Sequence, residues 1–125
     1  MINVRAIVKG EPDTFPFTMD FQYPSSSDER IFYESVQIIK EKSKGKLKLN
    51  VNESLVLFCA YIVSSLRENR STQTIEDRGS KILSADEVMI GVPETLRRIT
   101  FDALVDNLPR MKIILDQPIP LTNLV

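Results

Sequence analysis

Apolar and polar residues alternate in two short runs near the start of the chain. In the first run, Val4, Ala6 and Val8 are separated by mostly polar neighbours. The apolar positions of the second run are Phe15, Phe17, Met19, Phe21 and Tyr23. A period of two buries one face of a β-strand, and residues 9–13 between the runs have the composition of a turn. The pattern predicts a β-hairpin over residues 1–24.

Helical spacing begins shortly after this hairpin. Ser26 followed by Glu29 matches a capping box, which marks the start of a helix. The apolar positions that follow at helical spacing are Phe32, Val36 and Ile39. This pattern predicts a first helix that ends near Lys42. The lysines that follow are typical of a helix C-terminus, where cations complement the helix dipole, and of a solvated loop around Gly45.

A second helix is predicted between Asn50, which forms another capping pair with Glu53, and Glu68. Its residues 55–63 are all apolar. A helix without a polar face is covered on several sides. It is therefore either the centre of the domain or a helix that another subunit covers.

Shorter elements follow the second helix. Ser71 is predicted to cap a third helix that contains Ile75, and Gly79 to end that helix in the left-handed conformation. Ser84 and Glu87 form a third capping pair. Pro93 opens a further turn shortly after it.

A second alternating pattern closes the chain. Its apolar positions are Ile99, Phe101, Ala103 and Val105 in one run and Met111, Ile113 and Leu115 in the next. Residues 106–109 between them have turn composition, so the pattern predicts a C-terminal β-hairpin. Together these elements predict a single α+β domain over residues 1–125, with three to four helices and a hairpin at each end.

Histidine is absent from all 125 residues. This absence excludes a Ser-His-Asp triad, a His-containing zinc site and an imidazole acid–base catalyst. The four glycines are too far apart to form a phosphate loop. Cys59, the one cysteine, lies in the apolar run 55–63 and is interpreted as a small buried hydrophobe. We therefore nominate no catalytic, cofactor-binding or metal-binding residue.

Two other interpretations are weaker. Five carboxylates lie close in sequence and could do acid–base chemistry if burial separated their pKa values; they are Asp86, Glu87, Glu94, Asp102 and Asp106. Glu87, like Glu53, follows a cap by three residues, which explains it more simply. A helix-turn-helix could direct four cations to phosphate; they are Arg67, Arg70, Arg78 and Lys81. The net charge of −1 and the interspersed acidic residues favour a solvated helical surface instead.

Neither nucleic acid nor a membrane is a predicted partner. The longest apolar run, residues 55–63, is shorter than the roughly 20 residues that span a bilayer. The first residues lack the apolar core of a signal peptide. We expect a cytoplasmic protein.

Several short motifs resemble those of the gamma-type small subunit of nickel urease. Residues 47–50 followed by Glu53 resemble the family's entry to its second helix. Residues 67–71 resemble its arginine-acidic-x-arginine-serine link, and Gly79 lies at the family's glycine. The most specific motif is residues 86–94, Asp-Glu-Val-Met-Ile-Gly-Val-Pro-Glu, which is close to the family's valine-methionine-x-glycine-valine-proline-glutamate run.

The resemblance covers residues 26–119 and implies an α+β fold of several helices and a β-hairpin. It implies a non-catalytic subunit without nickel ligands, which packs against a large alpha-type chain that holds two nickel ions and hydrolyses urea to ammonia and carbamate. A beta-type chain completes a threefold-symmetric complex. The hairpin at 1–24 is an addition to the usual gamma subunit, and Ile90 stands where the family has an acidic residue.

Subunit packing is the role that we assign to the apolar second helix and to residues 88–93. The candidate packing residues are Leu57, Ile62, Val88, Met89, Val92 and Pro93. The alternative is a divergent stand-alone protein that resembles the gamma subunit but has no urease role. In that case the N-terminal hairpin supplies a surface for self-association into a homo-oligomer.

Overall fold

The helices of this protein pack on an antiparallel β-sheet whose strands come from both ends of the chain. The computed structural model describes residues 2–9, 17–22, 26–106 and 108–120. The strands are β1 (Ile2–Lys9), β2 (Phe17–Gln22), β3 (Arg98–Val105) and β4 (Met111–Asp116). The α-helices are α1 (Ser26–Lys44), α2 (Val51–Arg67), α3 (Thr72–Arg78) and α4 (Val92–Thr95), with 3-10 turns at Gly79–Lys81 and Ala85–Glu87. The predicted α+β class is confirmed.

The two predicted hairpins join into one antiparallel sheet with the strand order β2-β1-β3-β4. All eight residues of β1 pair with β3, from Ile2 opposite Val105 to Lys9 opposite Arg98. Strand β1 is therefore an interior strand, although it stands at the start of the chain. The predicted turn at residues 10–13 lies outside the described residues.

One face of the sheet is buried in the core. The buried strand residues are Val4, Ala6, Val8, Ile99, Phe101, Ala103, Ile113 and Leu115. They alternate with exposed or half-buried neighbours, as the period-two pattern predicts. Helix α2 contacts β1 and contributes Phe58, Cys59 and Ile62, all without accessible surface, to the same core. Helix α2 thus contributes the centre of the core that the described residues form, as one of the two predictions has it.

The predicted caps of α2 and α3 are confirmed. At the start of α2, the Asn50 side chain accepts from the Glu53 N–H at 2.8 Å, and the Glu53 carboxylate accepts from the Asn50 N–H at 2.9 Å. Ser71 accepts from the Thr74 N–H at 3.2 Å. The capping pair predicted at Ser26 rests on side chains outside the described residues.

Helix α1 ends at Lys44, two residues later than predicted, and its last turn contains Lys42 and Lys44. The Lys42 ammonium reaches the Glu53 carboxylate at 2.8 Å and so ties the end of α1 to the start of α2. Burial raises the pKa of Glu53, but the hydrogen bonds from Asn50 and Lys42 and the charge of Lys42 outweigh it. The net effect holds the pKa of Glu53 below its ordinary value.

The prediction for Gly79 is wrong. Its φ of −61° is right-handed, and the left-handed conformation after a helix is taken instead by Lys46, with φ 64°, following α1, and by Asn69, with φ 57°, following α2. Gly79 is needed for space: a Cβ there would lie 2.5 Å from Cδ2 of the buried Leu115. The glycine therefore lets α3 approach β4 closely. Nearby, the Glu76 carboxylate accepts from the Ile114 N–H at 2.9 Å.

Replacing Gly79 by Ala is expected to destabilise the protein by about 1–2 kcal/mol, because overpacking against Leu115 outweighs the gain in helix propensity. The matched control is Gly45→Ala, whose Cβ would come no closer than 3.5 Å to the Lys42 carbonyl oxygen. This control should change stability by less than about 1 kcal/mol. Urea denaturation measures both, and a Gly79→Ala protein as stable as the control would contradict the close approach.

Replacing Glu53 by Gln is expected to destabilise the protein at neutral pH by about 1 kcal/mol, because a charge-assisted pair is lost. The pKa of Glu53 is lowered in the folded state, so the carboxylate's contribution is complete above its unfolded pKa of about 4.3 and disappears as the pH falls through the lower folded value. The difference between wild type and variant should therefore shrink as the pH falls below about 4.3 and through the lower folded value. Urea midpoints measured from pH 7 to pH 3 give this profile.

Glu41→Gln is the control for that titration, because Glu41 is exposed and lies 3.8 Å from Lys44. An exposed pair of this kind contributes at most a few tenths of a kcal/mol. A gap between wild type and Glu53→Gln that stays constant with pH would show that charge is not the source of the stabilisation.

Candidate interaction surface

Residues 88–93 form a short segment that the rest of the fold holds rigidly. Its first residue, Val88, forms a parallel bridge with Leu49. The Leu49 N–H donates to the Glu87 carbonyl at 3.0 Å, and the Met89 N–H donates to the Leu49 carbonyl at 2.9 Å. The backbone on either side of Val88 is therefore attached to the loop that precedes α2.

The turn before this segment is fixed by a capping box. The Glu87 carboxylate accepts from the Ser84 N–H at 2.9 Å, as the sequence predicts, but the box opens a single 3-10 turn. The turn ends because Val88 adopts extended backbone to form its bridge with Leu49. The Lys48 ammonium donates to the carbonyl of Asp86 and adds a second tie.

The far end of the segment depends on Gly91, whose φ is +93°. This left-handed value favours glycine. The Gly91 carbonyl accepts from the N–H and the hydroxyl of Thr95 at 3.0 and 2.9 Å, which starts α4. The Val92 N–H donates to the Met89 carbonyl at 3.1 Å and closes the turn around Ile90.

Two apolar side chains project from this rigid turn. Met89 is 44% exposed, and Ile90 is fully exposed, at 106% of its reference surface. Their neighbours Val88, Val92 and Pro93 are buried. We call Met89 and Ile90 the apolar tip. A large aliphatic side chain fixed in water is an unfavourable arrangement for an isolated chain.

The structure gives the six candidate packing residues different positions. Leu57 and Ile62 are buried inside α2, and the three neighbours of the apolar tip are buried as well. These five have little surface to offer a partner, because the core of this chain already covers them. Of the six candidates, Met89 alone has an exposed side chain. Ile90 is exposed as well and was not among the candidates, since sequence alone does not tell which apolar residues of a dense run face outwards.

A groove of about 670 Å³ lies beside α1 and α2. The apolar part of its lining includes Val36, Leu57 and Ala60, and Lys40 and Lys44 add positive charge. At its margin the Arg67 guanidinium donates to the Tyr33 hydroxyl at 2.6 Å. The groove therefore combines apolar lining residues with the charged side chains of Lys40, Lys44 and Glu87.

Two other residues that the sequence analysis considered for chemistry, Cys59 and Arg70, are either buried in the core or held in an ion pair. Burial raises the pKa of the Cys59 thiol, which has no accessible surface. Arg70 forms an ion pair with Glu68 at 2.6 Å. Within the described ranges, no group of three or more His, Cys, Asp or Glu residues is placed to hold a metal ion.

None of the helices in the described part of the chain is long and apolar enough to cross a membrane.

Comparison with known proteins gives a consistent result. The family model described as "Urease, gamma subunit" matches residues 22–119. A relative, the urease subunit gamma of Halalkalibacterium halodurans, is 29% identical over 80 residues, which are 64% of this chain and 80% of the relative. The family match includes α1 to α4 and the C-terminal hairpin, and it begins at the last residue of β2. Because this match covers most of its length, the chain belongs to the urease gamma subunit family.

Proposed function

We propose that this chain is a non-catalytic structural subunit of a urease-type nickel amidohydrolase. In this proposal it packs against an alpha-type chain, which holds the nickel and hydrolyses urea to ammonia and carbamate, and a beta-type chain completes the cytoplasmic complex. The observation that carries the proposal is the family match over residues 22–119. The sequence, which has no histidine, supports a division of labour in which nickel is bound by the partner.

The apolar tip supports a subunit contact at this position. Met89 and Ile90 are exposed on a backbone that hydrogen bonds and a bridge already hold in place. A partner that covers such a tip gains apolar burial and loses little conformational entropy on binding. Met89 also matches the family motif in residues 86–94, whereas Ile90 departs from it. We therefore propose the tip as a contact with the alpha-type or beta-type chain.

A stand-alone, self-associating protein is the second candidate function. Two observations favour it. The hairpin of β1 and β2 lies almost entirely outside the family match, and Ile90 replaces the acidic residue of the family motif. Both features distinguish this chain from the family, and each could serve contact with a different partner.

The test is assembly with the alpha-type and beta-type chains encoded in the same genome. The three chains are co-expressed, and the purified complex is assayed for nickel-dependent urea hydrolysis. The proposal predicts a stable complex that contains all three chains and is active, while this chain alone with nickel shows no turnover. Turnover by the isolated chain, free of contaminating urease, would contradict a non-catalytic role. Failure to assemble would favour the second candidate.

Replacing Ile90 by Lys is expected to weaken assembly by about tenfold or more, because it removes roughly 1.5–3 kcal/mol of apolar burial and adds a positive charge to the contact. The matched control is Ile38→Lys on α1, since Ile38 is 71% exposed in the isolated chain. Surface plasmon resonance against the alpha-type and beta-type chains measures both affinities. Equal affinities of Ile90→Lys and wild type, with both variants folded, would remove the apolar tip from the interface.

A further inference from the structure

The two edges of the sheet differ in what packs beside them. At one edge, α3 packs against β4, and the Glu76 carboxylate accepts from the Ile114 N–H at 2.9 Å. At the other edge stands β2, which pairs with β1 alone among the described residues. The outer backbone groups of β2 are thus in position to pair with a further strand.

The composition of β2 also suits pairing with another strand. Its sequence, Phe-Thr-Met-Asp-Phe-Gln, contains neither lysine nor proline, the residues that commonly block an exposed edge. Asp20 is its one charged residue. Aromatic residues and threonine favour strand structure. Asp20 is thus the one residue of β2 that would oppose an added strand, in a register that sets it opposite another carboxylate.

We propose that β2 pairs with β2 of a second copy of this chain, antiparallel across a two-fold axis. Such a contact uses the same strand on both sides and joins the two four-stranded sheets into one. A foreign strand could satisfy the same backbone groups. The second copy is favoured because the sequence of β2 complements itself in one register.

Symmetry limits the possible registers. A two-fold axis perpendicular to the sheet keeps each face on its own side, so residues paired across it occupy positions on the same face. Positions 17, 19 and 21 pair within the chain with Val8, Ala6 and Val4, which are buried. Pairing across the axis must therefore match odd positions with odd ones and even with even.

The register centred on Met19 satisfies this rule and avoids repulsion. It sets Phe17 opposite Phe21 of the second copy, so the row of apolar positions continues from one sheet into the next. It sets Thr18 opposite Asp20 of the second copy. A register centred on Asp20 would instead oppose two carboxylates directly, which is unfavourable. The geometry points to the Met19-centred register.

This contact is independent of the proposed urease assembly. Strand β1 and all but the last residue of β2 precede the family match, and the apolar tip belongs to the segment that follows α3 in the chain. Self-association can therefore be measured on the isolated full-length chain, and its outcome does not depend on whether the chain assembles with urease partners.

The test is a pair of charge variants at one position, Thr18→Asp and Thr18→Lys. In the proposed dimer each new side chain faces Asp20 of the other copy, twice per dimer. Thr18→Asp is expected to raise the dimer dissociation constant about 5- to 20-fold, and Thr18→Lys to lower it at low salt. Both shifts should diminish at high salt. Sedimentation velocity over a concentration series measures them, and circular dichroism checks that both variants remain folded.

A second measurement tests the register. Met19→Cys places two thiols opposite each other on the axis, so mild oxidation should give a disulfide-linked dimer. Asp20→Cys is the control, because its two thiols would face Thr18 positions and lie too far apart to bridge. Cys59 has no accessible surface and should not crosslink in the wild type.

Three results would overturn the proposal. The first is a wild-type chain that stays monomeric at concentrations up to the millimolar range. The second is a dimer whose dissociation constant is the same in both Thr18 variants. The third is equal crosslinking of Met19→Cys and Asp20→Cys.

Discussion

The burial of α2 is the constraint on which the rest of the structure depends. This helix is apolar on nearly every side, so a small chain has to cover it from several directions. The sheet covers one side, with β1 in direct contact with α2, and α1 packs along another. Strand β1 contributes Val4, Ala6 and Val8 to the shared core, each at most 2% exposed. Strand β1 is therefore an integral part of the core, although the family match does not include it.

Polar contacts then fix how the covering elements are placed. The ion pair between Lys42 and Glu53 ties the end of α1 to the start of α2. The Tyr61 hydroxyl donates to the Ile75 carbonyl at 2.6 Å and holds α3 against α2. Gly79 lets α3 approach β4 closely enough for the Glu76 carboxylate to bind the edge of the sheet. With α2 enclosed in this way, the exposed apolar residues that remain are candidates for contacts between chains.

Local sequence signals predicted much of this fold, because caps and alternation act over a few residues. The start of α2 follows from Asn50 and Glu53, and both hairpins follow from period-two patterns. The insertion of β1 beside β3 was not predictable, since alternation does not specify which strands pair. Gly79 was misinterpreted for a related reason: its role depends on Leu115, which is distant in sequence.

The candidate site was predicted only in part. The role of residues 88–93 in subunit packing stays a prediction, and most of their side chains, like Leu57 and Ile62, complete the core of this chain. Which residues of an apolar run face outwards depends on the bridge to Leu49 and the left-handed turn at Gly91, and both are tertiary features. For that reason Ile90, the most exposed large apolar residue whose burial the structure describes, was not selected from sequence.

The most direct test of the central claim is native-state hydrogen exchange of the full-length chain, followed by NMR. If β1 is an integral part of the core around α2, the amides of β1 that bond to β3 will exchange only through global unfolding. Their opening free energies will then equal those of the α2 amides. Exchange of the β1 amides through a local opening, at a free energy well below that of α2, would mean that the hairpin is an appendage and would contradict the account.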